Sequence, residues 1–311
     1  MNNFAIYVKL VDNDRLLIKK ILLDRAEKRK RGDSMKWHPL VSVILPTWNR
    51  AKYLPQAMDS VLSQDYKNLE LFVVDDGSTD ETGQIVNSYK DDRICYIRTS
   101  VNRGAAAARN LGISCATGEF IMFQNSNSVW RPGKLRKELE KFSDVSMDTV
   151  VVYHSMARVT SEGKCKEIPD SSVMFGERSG RLFDKLLKQD FIKLPAVCIR
   201  RTALVGADGI GTFDNMIPDL EDYDLILRIA RRYRIDYINE ILADTYYIED
   251  GANCDMFRRV KSNCLIIKKY KEDMRRIGVY AEKLRYLREL GKITHTERLI
   301  QEMIERYGEG E

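Results

Sequence analysis

The chain has 311 residues and a mass of 36.0 kDa, and its 44% apolar and 31% charged residues are typical of a globular protein that buries a core. No run approaches the ~20 apolar residues of a membrane-spanning helix, and residues 1–31 lack the apolar centre of a signal peptide, which favours a cytoplasmic protein. The six cysteines form no C-x-x-C pair, which argues against a zinc site or a disulfide framework.

The net charge of +5 is concentrated at the two ends of the chain. Residues 1–36 carry ten basic and five acidic residues, residues 255–311 carry fourteen and ten, and residues 37–254 carry 27 and 31. We therefore predict a basic N-terminal extension, a central domain and a basic helical C-terminal extension. Residues 4–31 form an amphipathic pattern that fits either contact with an anionic membrane surface or packing on the protein's own domain.

Strands and helices alternate along the central part of the chain. Apolar, β-branched runs predict buried strands at residues 41–45, 69–74, 94–98, 119–123 and 149–153. Helical spacing predicts helices at residues 53–64, 105–116, 134–142 and 220–233. Another helix is predicted to start at Ser78, because Glu81 three residues later completes a capping box, and residues 160–180 are predicted to be a loop over the site. This alternation indicates an α/β fold with a single doubly wound, mostly parallel sheet and flanking helices.

Polar side chains follow three of the predicted strands. Thr47 and Asn49 come after the first, Asp75 and Asp76 after the second, and an Asn-x-Asn segment (Asn125 and Asn127) after the fourth. In open parallel sheets, ligands bind outside the carboxyl ends of the strands. These positions therefore predict a ligand site at that edge of the sheet.

Several short segments together resemble one known family. They are VSVILPTWN (41–49), SVLSQ (60–64), VVDDGSTD (73–80), NRG (102–104), ARN (108–110), ATGEFI (116–121) and EDYDL (221–225) followed by Arg228. In this order and spacing they resemble family 2 glycosyltransferases of the GT-A fold over about residues 39–250. The resemblance implies a transferase that moves a sugar from a nucleotide-sugar donor to a hydroxyl acceptor with inversion.

The resemblance also assigns the residues of a nucleotide pocket. In the family the acid after the second strand contacts the nucleobase, and here that acid is Asp76. Asp75 and Asp76 have the alternative role of anchoring a turn, and Arg109 that of a surface helix residue. The residues implied to line the pocket are Pro46, Thr47, Asn49, Asp75, Asp76, Arg109, Asn125 and Glu221.

The general base implied by the resemblance is Asp222, from an acid pair at the start of a late helix. Such a base would remove the acceptor's proton while the diphosphate leaves. For Glu221 and Asp224 the alternative is simple stabilisation of the helix start by the macrodipole. Trp130 is predicted to shape the acceptor site, with a place in the hydrophobic core as its alternative.

The chain departs from the family at the metal-binding motif. Members usually have Asp-x-Asp after the fourth strand to hold Mn²⁺ or Mg²⁺, but this chain has Asn125 and Asn127, followed by Ser128. An amide oxygen can ligate a hard cation but brings no charge. Three explanations remain: catalysis without metal, with Arg or Lys neutralising the diphosphate; weak metal binding; or a non-catalytic protein that only binds. Many members have a His after a late tyrosine strand as a further metal ligand. Here Glu249 follows the segment Thr245-Tyr246-Tyr247, and it either restores one charge or is a surface acid.

We expect a UDP-sugar donor and an acceptor in glycan or surface polysaccharide synthesis, such as a lipid-linked glycan. The basic ends fit peripheral contact with the inner face of a membrane or formation of a homo-oligomer. A nucleotidyltransferase would need a glycine-rich loop with a basic residue after the first strand, where this chain has Pro-Thr-Trp-Asn (residues 46–49). Nucleic acid is not expected as a partner, because the basic residues are not interleaved with stacking aromatics.

Overall fold

The computed structural model describes residues 6–9, 37–160, 162–163, 165–169, 178–206, 209–247, 256–294, 296–298 and 300–302. Within them, ten strands form one sheet. Its strands are β1 (Ile6–Lys9), β2 (Val41–Thr47), β3 (Leu69–Asp75), β4 (Ile94–Arg98), β5 (Phe120–Phe123), β6 (Ser128–Trp130), β7 (Thr149–Val159), β8 (Cys165–Ile168), β9 (Val197–Arg200) and β10 (Arg234–Tyr246).

The sheet is mostly parallel, and its strand order is β1-β4-β3-β2-β5-β9-β7-β10-β6, with β8 paired to β7 outside this path. Strands β1, β4, β3, β2 and β5 are parallel neighbours, and β7 and β10 are parallel to each other. Strands β9, β8 and β6 run antiparallel to the strands that they pair with. The carboxyl ends of β2, β3 and β5 therefore meet at one edge.

Helices connect and cover the strands. They are α1 (Leu54–Leu62), α2 (Thr82–Ser88), α3 (Ala105–Cys115), α4 (Lys134–Ser143), α5 (Phe183–Lys188), α6 (Arg201–Leu204), α7 (Glu221–Arg232), α8 (Met256–Lys269), α9 (Lys271–Arg276) and α10 (Tyr280–Thr294), with a short 3₁₀ turn at Leu194–Ala196. None of the helices in the described ranges is long and apolar enough to cross a membrane.

The two faces of the sheet carry two hydrophobic clusters. Because successive side chains of a strand point to opposite faces, Ile44 of β2 belongs to one cluster while Val43 and Leu45 belong to the other. All seven residues of β3 are buried. Burial on both faces explains the mostly apolar sequences from which β2 and β3 could be predicted.

The doubly wound, mostly parallel α/β prediction is confirmed, and so are the strands at β2–β5 and the helices at α1, α3, α4 and α7. The helix predicted from Ser78 is wrong at its start, because α2 begins at Thr82 and the Ser78 hydroxyl accepts a hydrogen bond from Asn49 N instead (2.9 Å). The strand predicted at residues 149–153 is confirmed as the first part of β7, which continues to Val159. The loop predicted at residues 160–180 contains β8, and β10 covers 13 residues for most of which no strand was predicted.

Both predicted extensions contact the central sheet or its core where they are described. Residues 6–9 are a strand and pair with β4, whereas the rest of the amphipathic segment lies outside the described residues. Val260, Ile267 and Leu287 of the C-terminal helices belong to the same cluster as Ile44. The boundaries 1–36, 37–254 and 255–311 stay a prediction.

Candidate functional site

The polar residues that follow β2, β3 and β5 lie at one edge of the sheet. Thr47 pairs in register with Asp75, and Phe123 of β5 pairs with Ile44 of β2, so that Asn125 follows directly at the same edge. The backbone N–H of Asp76 donates to Thr47 O (2.9 Å), which joins the first two loops. The structure thus brings together the loops that the sequence predicted to form the site.

Asp75 has the contacts of a turn anchor. It is fully buried, and its carboxylate accepts hydrogen bonds from Tyr96 Oη (2.5 Å) and Ser78 N (2.8 Å). The guanidinium of Arg98 lies 3.7 Å from the same carboxylate. The protein therefore occupies both oxygens of Asp75 beneath the pocket.

Asp76 holds the loop between β4 and α3. Its Oδ2 accepts from the backbone N–H groups of Arg103 (2.9 Å) and Gly104 (2.7 Å), and its Oδ1 accepts from the Thr99 hydroxyl (3.2 Å). A carboxylate has about four acceptor positions, so these bonds leave capacity for a donor on a nucleobase. Contact of Asp76 with a base stays a prediction.

Asn49 and Thr47 shape the first loop. Asn49 has φ of 50°, and its side-chain oxygen accepts from Thr79 N (2.8 Å), which ties the loop after β2 to the loop after β3. Thr47 is buried, and none of the described residues makes a hydrogen bond with its hydroxyl. Pro46 is half-buried beside them.

A buried ion pair connects the nucleotide side of the site to α7. Arg109 of α3 donates from Nη1 to Glu221 Oε1 (2.5 Å), and its Nη2 lies 3.3 Å from Asn125 Oδ1. The side chains of Arg109 and Glu221 are 9% and 10% exposed, and the guanidinium lies over the ring of Phe213 (5.5 Å to the centroid). Glu221 therefore has an ion-pair partner in addition to its favourable place in the first turn of the helix, and Arg109 is a buried residue and not a surface one.

Asp222 lies next to that pair, in the first turn of α7. It is half-buried, and its Oδ1 accepts from Tyr223 N (2.8 Å). No described residue donates to its Oδ2. Asp224, in contrast, is fully buried and pairs with Arg228 (2.8 Å) and Lys269 (2.7 Å), so that it is a structural ion-pair residue.

Asn127 and Trp130 have contacts to the last strands of the sheet. Asn127 Nδ2 donates to Tyr246 O (2.9 Å), and Tyr246 N donates back to Asn127 O (2.8 Å). Trp130 is buried in the cluster that contains Val43, with the Lys134 ammonium 4.2 Å from its ring centroid. The structure places Trp130 in the core, and contact with an acceptor stays a prediction.

The residues at the Asn-x-Asn segment do not fit a divalent cation well. Asn125 Oδ1, the atom that would ligate a cation, already faces the Arg109 guanidinium, and neither Asn125 nor Asn127 brings a negative charge. In the part of the chain that the structure describes, no group of three or more His, Cys, Asp or Glu side chains could hold a metal ion. Glu249 lies outside the described residues.

Two further acids near Asp222 were not predicted. Burial raises the pKa of Asp219 to about 6, with Glu221 and Asp222 adding to the rise and Arg259 opposing it. Burial also raises the pKa of Asp190, which pairs with Lys193 and is influenced by the charge of Asp222. Asp219 could have been found from the run of acids at residues 219–224, but Asp190 had no local signal.

Comparison with known proteins adds family evidence to this geometry. The family model described as "Glycosyl transferase family 2" matches residues 42–200. An uncharacterized glycosyltransferase of Rickettsia prowazekii is 31% identical over 217 residues, which are 66% of this chain and 63% of that protein. The chain thus spans less than two thirds of the length of that relative.

A better covered relative carries a described activity. It is the UDP-Glc:alpha-D-GlcNAc-diphosphoundecaprenol beta-1,3-glucosyltransferase WfaP of Escherichia coli, 31% identical over 240 residues, which are 77% of this chain and 85% of that protein. Among solved structures, the mannosyltransferase PcManGT of Pyrobaculum calidifontis in complex with GDP-Man and Mn²⁺ superposes with a TM-score of 0.57. That match has 17% identity and covers 95% of this chain and 85% of that one.

Proposed function

Because the chain belongs to glycosyl transferase family 2, we propose that it transfers a sugar with inversion from a UDP-sugar to a hydroxyl group. Its relatives support a glycosyl transfer role in polysaccharide synthesis, and we propose a UDP-sugar donor because WfaP uses UDP-Glc. The observation that carries the proposal is the Asp222 carboxylate, whose Oδ2 accepts no hydrogen bond from a described residue, beside the Arg109–Glu221 pair that reaches Asn125.

The proposed reaction is a single displacement. The acceptor hydroxyl oxygen forms a bond to the anomeric carbon, and the bond from that carbon to the diphosphate oxygen breaks with its electron pair on the leaving group. Asp222 takes the hydroxyl proton as general base. Partial exposure at the first turn of α7 lets an acceptor reach this carboxylate. In the proposed complex, Asp76 contacts the uracil base.

The chain's own residues give this chemistry its geometry. The Arg109–Glu221 pair fixes the first turn of α7 relative to α3 and to the loop after β5. Arg228 of the same helix donates to the backbone oxygens of Ile210 (2.9 Å) and Thr212 (2.7 Å), and thereby holds the loop that precedes α7. These contacts contribute to the rate of sugar transfer because they hold the general base and the donor in one relative orientation.

The proposed acceptor is a lipid-linked glycan. WfaP acts on a diphosphoundecaprenol-linked sugar, and the basic residues at both ends of this chain favour peripheral contact with an anionic membrane face. A cytoplasmic location with such contact is part of the proposal, as is a homo-oligomer formed through the ends.

A second candidate is a non-catalytic protein that binds nucleotide-sugars. The observation that favours it is the replacement of both Asp-x-Asp acids by Asn125 and Asn127. A divalent cation, Mn²⁺ or Mg²⁺, would neutralise the diphosphate if one were bound. PcManGT, of similar fold, was solved with Mn²⁺, so that retention of metal in this chain is the alternative to metal-free binding.

The variant Asp222→Asn tests the proposed function. We expect loss of sugar transfer by at least about a hundredfold, the usual contribution of a general base, with UDP affinity by calorimetry unchanged. The control is Asp184→Asn, the same substitution at an exposed pair with Arg276. Full transfer by Asp222→Asn would show that the base is a different group, and UDP binding without transfer in the unaltered protein would favour the second candidate.

A further inference from the structure

Helix α8 (Met256–Lys269) differs in charge from the two helices that follow it. It carries five basic residues and no acidic one, whereas α9 has three basic and two acidic residues and α10 has four and two. Arg258, Lys261 and Lys268 of α8 are exposed. The positive charge of the described C-terminal helices is therefore concentrated on α8.

Helix α8 lies beside the loop that leads to the proposed general base. At the end of the helix, Lys269 Nζ is 3.6 Å from an oxygen of Asp214. In its first turn, Arg259 Nε is 2.5 Å from an oxygen of Asp219. The loop therefore runs along α8 in the opposite direction. Because Asp222 follows Asp219 by three positions, the first turn of α8 adjoins the first turn of α7.

Apolar side chains are exposed on the same part of the molecule. Met256 and Phe257, in the first turn of α8, are 36% and 52% exposed, and Met216, in the loop beside the helix, is 71% exposed. Basic and apolar side chains next to each other are the combination with which peripheral proteins bind the headgroup and acyl boundary of an anionic bilayer. We call these three residues, together with Arg258 and Lys261, the α8 surface.

The charge of the α8 surface decides between three occupants. A second copy of this chain would meet it through a two-fold contact, which would bring two basic helices together. The N-terminal segment, with ten basic and five acidic residues among residues 1–36, has the same sign of charge. An anionic lipid surface has the opposite charge, and its acyl boundary takes up exposed Phe and Met side chains.

We propose that the α8 surface docks on an anionic lipid bilayer. This inference rests on the proposed function, because the acceptor proposed there is a lipid-linked glycan. In an acceptor of that class the reacting sugar hydroxyl lies just outside the lipid headgroups. Docking through α8 brings the adjoining first turn of α7, with Asp222, to the same level. The general base is then held where the acceptor is anchored.

Sedimentation of the full-length protein with lipid vesicles tests the α8 surface. We expect binding to vesicles of phosphatidylglycerol and phosphatidylcholine in equal parts, and at least about tenfold weaker binding to vesicles of phosphatidylcholine alone. Phe257→Ser/Lys261→Gln removes an exposed aromatic ring and one positive charge. Its affinity for the mixed vesicles should fall at least about tenfold, because one basic residue near such a surface contributes about fivefold and the ring adds to this.

The matched control is Tyr286→Ser/Lys292→Gln on α10. Tyr286 is 54% exposed and the Lys292 side chain is 63% exposed, so this variant makes the same change in charge and a similar change in apolar surface. We expect its vesicle affinity to stay within about twofold of that of the unaltered protein. Lys261→Gln alone, which keeps Phe257, should lose about fivefold and is the test if the double variant fails to fold.

UDP binding by calorimetry on the same proteins separates this inference from the proposed function. Neither Phe257 nor Lys261 belongs to the proposed nucleotide pocket, so UDP affinity should be the same in all of them. Docking through α8 would be overturned if the unaltered protein did not bind the mixed vesicles, or if the two double variants lost affinity equally or not at all. Retained UDP binding would then leave the transferase proposal standing. Vesicle binding that depends on α8, without UDP binding, would support the docking and refute the UDP-sugar donor.

Discussion

Replacement of Lys134 by methionine should destabilise the fold strongly, and more so at high pH. Lys134 Nζ and Glu138 Oε2 are 2.7 Å apart in α4, and both side chains are fully buried. The Trp130 ring covers Nζ, and His154 Nε2 of β7 lies 3.7 Å from Glu138 Oε1. Lys134→Met removes one partner and leaves a carboxyl in the core, a change that costs about 3–5 kcal/mol in other buried pairs.

The pH dependence of this loss has a definite sign. Burial raises the pKa of Glu138 to about 7 even though Lys134 opposes the rise, and without Lys134 the pKa will be higher. The pKa of Glu138 is higher in the folded protein than in the unfolded chain. The carboxyl is therefore protonated and tolerated at low pH, and stability falls as pH rises from about 4.5, the unfolded value, through the folded pKa. Burial lowers the pKa of His154, with the charge of Lys134 adding to the fall, and burial raises the pKa of Cys198.

Urea unfolding followed by circular dichroism at pH 6 and pH 8 measures the effect. We expect Lys134→Met to lose more stability at pH 8 than at pH 6, and Lys134→Met/Glu138→Leu to be within about 1 kcal/mol of the unaltered protein or more stable. The double variant also controls for the change in packing around Trp130. A single variant that loses less than about 1 kcal/mol at both pH values, or loses more at pH 6, would refute this account of the buried pair.

Three further substitutions separate structural from functional roles at the family segments. Asp76→Asn should weaken UDP binding at least about tenfold by calorimetry. The unfolding midpoint should change little, because an amide oxygen can still accept a hydrogen bond from Gly104 N. Unchanged UDP affinity would show that Asp76 does not belong to the nucleotide pocket. Gly118→Ala should lower stability by about 1–3 kcal/mol in urea unfolding without changing UDP affinity, because its Cβ would lie 2.6 Å from Ser42 Oγ at the other end of the strands; a fully stable variant would contradict this. Arg228→Met should lower kcat in a transfer assay with UDP affinity retained, because residues 210–212 before α7 lose their hydrogen bonds to the guanidinium. An unaltered kcat would show that this loop does not position the general base Asp222.

The strands with the clearest apolar sequence pattern could be predicted because both faces of the sheet are buried where they lie. Each residue of β3 is buried, so the strand is mostly apolar, with the run Leu71–Val74 after the buried Glu70, which accepts a hydrogen bond from Ser42 Oγ. Strand β10 mixes exposed, half-buried and buried positions without a regular alternation, and its pairing with β7 has three register shifts. Its strand conformation depends on that long-range pairing, which no local pattern shows.

The site shows the same limit at the level of single side chains. Asp75 and Asp76 are adjacent in sequence, yet one is closed off by Tyr96 and Ser78 while the other accepts from the backbone of a distant loop. Ser78 was expected to cap a helix, but its hydroxyl accepts a hydrogen bond from Asn49 N, 29 positions away, and its N–H donates to the nearby Asp75 carboxylate. The Arg109–Glu221 pair joins residues 112 positions apart, and neither residue type alone reveals it.

The pairing of β1 with β4 has a consequence for any shortened form of the protein. Residues 6–9 cover the backbone of β4 in register from Ile6 with Cys95 to Lys9 with Arg98. Residues 6–9 are themselves the edge of the described sheet, and their removal would move that edge to β4, a longer strand with four buried residues, whose uncovered N–H and C=O groups can join the edge of another molecule. A deletion designed to test whether the basic segment binds vesicles should therefore keep residues 6–9, since otherwise sedimentation would also report self-association through exposed strands.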